Sequence, residues 1–164
     1  MTALKFVGRA LAIAVAMFFL GFVGHQLLLG RDYVSIEPIM RDKADMQAHM
    51  PFALVSCFSF AGAFVWIYSR IRRAGPWLGQ GIRFGSAIWA VASVPLYLTN
   101  YTIEPWPGVF VTKILVWELL AAVILGILAA AMAKGDSDAK VELNPPLPFN
   151  SRQAAGVAPQ GRKA

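Results

Sequence analysis

Four apolar blocks, separated by shorter polar stretches, set the pattern of the chain. They cover about residues 6–29, 51–69, 82–101 and 108–133. A helix needs roughly 20 apolar residues to cross a hydrocarbon core of about 30 Å. Each block therefore predicts a transmembrane α-helix. After Lys134 the pattern changes abruptly to polar and proline-rich, with Pro145, Pro146, Pro148 and Pro159. Such a stretch holds too little apolar surface to fold alone. The pattern predicts an all-α integral membrane protein: four transmembrane helices over 1–134 in an up-down bundle of two hairpins, and a disordered cytoplasmic tail over 135–164.

Within the blocks, finer periodicities predict packing. The first block is longer than the apolar core of a signal peptide and is not closed by an Ala-x-Ala-like site, so an uncleaved first helix is expected. Its Ala10, Ala14, Gly21 and Gly24 lie near one stripe, which favours close helix approach. Residues 30–50 read as a polar loop, with Arg41 to Met50 as a short surface helix. Pro51 suits the first turn of the second helix. Ser56, Ser59, Gly62 and Trp66 recur at three- and four-residue steps on one face. Gly81 and Gly85 form a GxxxG pair at the start of the third block. Pro95 predicts a kink there, because it removes a backbone donor.

Charge then sets orientation. The chain is 57% hydrophobic with only 15% charged residues and a net charge of +6. Its basic side chains gather at the ends of apolar blocks: Lys5 and Arg9 at the amino end, Arg70, Arg72, Arg73 and Arg83 between the second and third blocks. This placement points to membrane orientation and anionic lipid rather than nucleic acid. Both termini are expected in the cytoplasm of a cell with an inner membrane, with the loops holding Glu37 and Glu104 outside. The first loop also carries Arg31, Arg41 and Lys43, which weakens this orientation without reversing it. The plan resembles that of small four-pass bacterial membrane proteins, and no motif singles out one family.

Two segments echo each other. Tyr33-Val-Ser-Ile-Glu-Pro38 follows the first block, and Tyr101-Thr-Ile-Glu-Pro105 follows the third. They fit a parallel repeat of two hairpins, as found in some transporters. They also fit coincidence, since the match is short.

Candidate chemistry is sparse. The single cysteine, Cys57, rules out a disulfide within the chain and a CxxC motif, and reads as a small packed hydrophobe. His25 and His49 do not make a metal site. Phosphate-loop and dinucleotide fingerprints and nucleophile–base pairings are absent from the sequence, so no enzyme activity, cofactor or metal is expected.

One residue stands out. Glu118 lies near the middle of the fourth block, where an acid is costly without a partner, a proton or a water-filled pocket. Its helical face carries Ala122, Gly126, Ala129 and Ala133, the small residues of a packing side, so Glu118 is expected to point inward. Lys113 is about 140° away around the helix and is expected to snorkel to the outer headgroups. His25, Ser59, Ser93 and Tyr97 fall at depths that allow a shared polar pocket. A direct contact between His25 and Glu118 needs a vertical reach of roughly 8 Å at the backbone, which calls for a water or a tilted helix. Two readings follow. Glu118 either binds a proton and couples it to a solute, or locks two helices together as a neutral hydrogen-bonded group. The leading expectation is a structural or accessory membrane protein acting through a homo-oligomer or a membrane-protein partner. The alternative is a small proton-linked transporter.

Overall fold

A computed structural model describes residues 2–73 and 75–143 of the chain, with side chains to residue 135. All its regular structure is helical. Helix α1 (Ala3–Gly21) passes directly into a π-helix (Phe22–Leu28), and a 3-10 helix (Asp32–Ile39) follows. Then come α2 (Lys43–Ile71), α3 (Trp77–Ile103) and α4 (Gly108–Leu143). Four helical segments are long and apolar enough to cross a membrane: Ala3–Leu28, Lys43–Ile71, Trp77–Ile103 and Gly108–Gly135.

The helix ends follow from capping rather than from hydropathy. Asp42 caps α2: its carboxylate accepts a hydrogen bond from the Asp45 amide at 2.8 Å. Such a cap satisfies one of the orphan amides of the first turn, and Asp45 there suits the positive end of the helix dipole. The second helix therefore starts in polar sequence, well before residue 51. The expected short helix over Arg41 to Met50 is its first part, and Pro51 lies inside it rather than in its first turn. The expected open loop over 30–50 is in fact mostly helical. Helix α3 runs unbroken through Pro95. Helix α4 continues past the change in composition at Lys134 as far as Leu143, since no proline intervenes before Pro145. The rest of the expected disordered tail lies outside the described residues. The two Ile-Glu-Pro segments differ in structure: Glu37 is within the 3-10 helix, whereas Glu104 ends α3.

Helix α4 is the centre of the packing. It lies along α3 and also touches α1 and α2, while α1 packs along α2. The start of α3 meets the second half of α4 so closely that Gly81 and Gly126 are in backbone contact range. A Cβ on Gly126 would fall on the Gly81 carbonyl oxygen, and one on Gly85 would fall on the Ala122 carbonyl. Only glycine allows this approach, and close backbones gain dispersion contacts. At the same end, Arg9 of α1 donates to the Met132 carbonyl at 2.6 Å and Arg72 of α2 donates to the Ala133 carbonyl at 2.9 Å.

Two apolar clusters fill the interior. The larger includes Ile13, Ala61, Phe64, Phe84, Leu125 and Ala130. The smaller holds Leu29, Ile36, Phe110 and Ile114. Along α4 the stretch between Ile114 and Leu125 separates them, and Glu118 falls in that stretch.

Candidate functional site

Glu118 meets two partners from two other elements. His25 of the π-helix places Nε2 3.5 Å from Glu118 Oε1. Tyr97 of α3 directs its hydroxyl to the same oxygen, also at 3.5 Å. Both contacts are long for hydrogen bonds. The short bond of the group lies one step outward, where His25 Nδ1 is 2.6 Å from the Tyr33 hydroxyl.

Side-chain direction closes the gap that backbone height alone predicts. The first helical segment and α4 run in opposite senses, since Arg9 meets Met132 while the later His25 meets the earlier Glu118. Side chains lean toward the amino end of their own helix. His25 therefore leans toward the level of Glu118, and Glu118 leans back toward His25. The contact is direct, with no bridging water needed. The wider π-helical turn carries His25, closed by the bond from the Leu29 amide to the Gly24 carbonyl at 2.8 Å. Such turns are rare and gather at functional sites. Gly24 opens the space beside it: a Cβ there would land in the Trp117 indole of α4.

Tyr33 is pushed up to about 12, by burial first and by the charge of Glu118 second. It keeps its proton at neutral pH, and the direction of its short bond with His25 Nδ1 is set by the imidazole tautomer. His25 Nε2 faces Glu118. Phe110 packs edge-on against Tyr33 with ring centres 5.1 Å apart, and Trp106 packs on Phe110 at 5.5 Å. This aromatic layer covers the outer side of the network.

The network opens on a cavity of about 330 Å³, with His25, Ser93, Tyr97 and Glu118 in its wall beside Phe60, Trp89 and Trp117. The side chains of His25 and Glu118 keep 30% and 25% exposure, so neither is sealed in. Trp89 is fixed by a bond from its indole N–H to the Leu115 carbonyl at 3.0 Å. A second cavity, about 430 Å³, lies at the opposite end near Arg9, Ser69 and Arg72. Two of its guanidinium groups are engaged by the carbonyls of α4 described above.

No known protein family, curated protein or solved structure matches the chain.

Four of the five residues expected at the site thus share one cavity. Ser59 does not join them. It is exposed on α2, and its neighbour Phe60 lines the cavity instead. The Ser56–Ser59 face points away because α2 buries the face of Ala61, Phe64, Val65 and Tyr68. Lys113 has a partner within the chain. Its ammonium pairs with both carboxylate oxygens of Asp32, at 2.7 and 3.0 Å, a partner supplied by the 3-10 helix. Tyr33, Trp89 and Trp117 were not expected here. Tyr33 depends on a loop fold that hydropathy does not encode. No pattern local in the sequence pairs Gly24 with Trp117, a contact that only the folded helices make. Among the described residues no group of three or more His, Cys, Asp or Glu side chains is placed to hold a metal ion.

Proposed function

We propose that the chain is an inner-membrane protein of four spans in an up-down bundle, with both termini cytoplasmic, that binds a small solute at the Glu118 cavity and couples it to a proton. One observation carries this reading. The carboxylate, the imidazole and a phenol line open space rather than closing on one another. A helix lock calls for short bonds and no room, whereas the contacts to Glu118 are 3.5 Å long and beside a cavity of about 330 Å³. That volume falls within the range of about 300–1,000 Å³ typical of small-molecule sites. The basic residues at 5, 9, 70, 72, 73 and 83 support the orientation.

Proteoliposomes with a pH dye inside test the reading. A panel of amino acids, sugars, organic anions and organic cations is added outside, and coupled proton movement is expected with at least one class. Glu118→Gln is expected to abolish it at an unchanged amount of folded protein. The second reading is an accessory protein, favoured by the broad apolar exposure of α1 at Leu11, Val15, Phe18 and Phe19. A stable partner recovered from native membranes in mild detergent, with no coupled proton movement for any solute, would establish that reading instead.

A further inference from the structure

We infer that the Glu118 cavity takes an organic monocation with apolar substituents, such as a quaternary or protonated amine; this rests on the solute-binding reading above. The inference comes from what faces the carboxylate. Two side chains approach Glu118 at Oε1, His25 through Nε2 and Tyr97 through its hydroxyl, each at 3.5 Å. The nearest lysine along α4, Lys113, is committed to Asp32.

An acid within apolar surroundings needs a compensating charge or a proton. The rest of the wall states what kind of cation fits. Phe60, Trp89, Tyr97 and Trp117 supply four aromatic rings around one negative group. Aromatic rings attract a cation placed near their faces and accept its apolar substituents equally well. A metal ion asks for several oxygen or nitrogen ligands, and this wall offers one carboxylate and one imidazole, short of the three such groups a metal site gathers. An anion meets a carboxylate in the wall of the cavity and is repelled. A neutral sugar calls for many hydrogen-bonding groups, whereas Ser93 is the sole hydroxyl besides Tyr97 among the lining residues.

Benzyltrimethylammonium is the probe, and neopentylbenzene is its neutral isostere. Each is titrated calorimetrically into the full chain in nanodiscs, with empty nanodiscs of the same lipid as the blank. The expected result is saturable one-to-one binding of the cation, with the isostere weaker by roughly tenfold or more, as loss of a charge-assisted contact implies. Glu118→Gln is expected to weaken the cation by a similar factor and leave the isostere unchanged. Ser93→Leu, which puts a larger side chain into the cavity wall and keeps the carboxylate, is expected to weaken both, and together with the isostere decides the matter if Glu118→Gln does not fold. Cation binding no better than the blank, equal binding of the isostere, or wild-type affinity in Glu118→Gln overturns the inference. Cation binding without coupled proton movement leaves this site standing and removes the transport reading. Coupled movement of another solute without cation binding does the reverse.

Discussion

His25 Nε2 and Glu118 Oε1 stand 3.5 Å apart, brought together by a π-helical turn on one side and the middle of α4 on the other. The pair joins the first helical segment to the last. If the contact carries energy, His25→Ala and Glu118→Gln are not additive. Intramembrane polar contacts of this kind average about 0.6 kcal/mol and reach about 2 kcal/mol. At 3.5 Å, a coupling near the lower figure is expected. A double-mutant cycle on unfolding in mixed micelles measures it. Strict additivity of the two substitutions would show that the two groups are neighbours without being partners.

Tyr33 links the same network to alkaline pH. Its phenol is pushed up to about 12 by burial and then by the charge of Glu118. Below about pH 10 the folded and unfolded chains both hold this proton, and the contribution to stability is complete. Between about 10 and 12 the unfolded chain releases it and the folded chain keeps it. The unfolded state then binds fewer protons, so stability falls as pH rises through that window. Phenolate absorbance of the folded protein should show a late change that Tyr33→Phe diminishes by one phenol's share. In Glu118→Gln the transition should move to lower pH, because one of its two causes is gone. A late absorbance change as large in Tyr33→Phe as in the wild type refutes the assignment.

The contact of α3 with α4 depends on the glycines between them. Gly126→Ala puts a methyl group on the Gly81 carbonyl oxygen, which is backbone and does not swing aside. Overpacking of this kind costs about 1–3 kcal/mol. Gly62→Ala, where nothing lies within 4 Å of the added atom, is the control. Thermal unfolding in one detergent should show a clear loss for Gly126→Ala and little change for Gly62→Ala. Equal behaviour of the two variants would mean that α3 and α4 do not pack through these residues.

Hydropathy located the four long helices, because a run of apolar residues is a property of the chain itself. It did not locate their ends. Asp42 starts α2 by capping, in sequence that reads as loop, and α4 outlasts the apolar run because nothing up to Leu143 breaks it. The small residues around Glu118 and the Gly81–Gly85 pair were visible as stripes, and both lie on helix-packing faces. The serine stripe of α2 had the same spacing but lies on an exposed face, since apolar residues surround α2 and periodicity alone does not choose between them. The π-turn at His25 and the partners Tyr33–His25 and Lys113–Asp32 need the folded loop, so no local pattern announces them.

Lys113 and Asp32 tie the 3-10 helix to the start of α4 across a partly exposed gap of 2.7 Å. With half of the lysine side chain exposed, solvent and salt screen the pair, and such pairs contribute about 0.2–1 kcal/mol. Lys113→Met is therefore expected to lower stability by no more than that. Its loss should shrink further at high ionic strength, where the wild-type pair is itself screened. Unfolding at low and high salt measures both effects. A salt-independent loss well above 1 kcal/mol would place this pair in a dry environment and call for a different position of the 3-10 helix.

Gly24 and Trp117 make the most local test of the site. A methyl group on Gly24 has no room while the indole is in place. Gly24→Ala must therefore turn Trp117 or shift the π-helix that carries His25. Trp117 also lines the cavity, so either movement reshapes it. The expected cost is about 1–3 kcal/mol of stability. Gly21→Ala, only three residues earlier and with nothing within 4 Å, should cost far less. Replacing the indole as well, in Gly24→Ala/Trp117→Leu, frees the space the methyl needs. That double variant should lose less stability than the sum of its two single substitutions. Unfolding curves of the four proteins measure this directly. If the losses simply add, the methyl group and the indole do not compete for the same space, and the close approach of the π-helix to α4 is not what holds His25 beside Glu118.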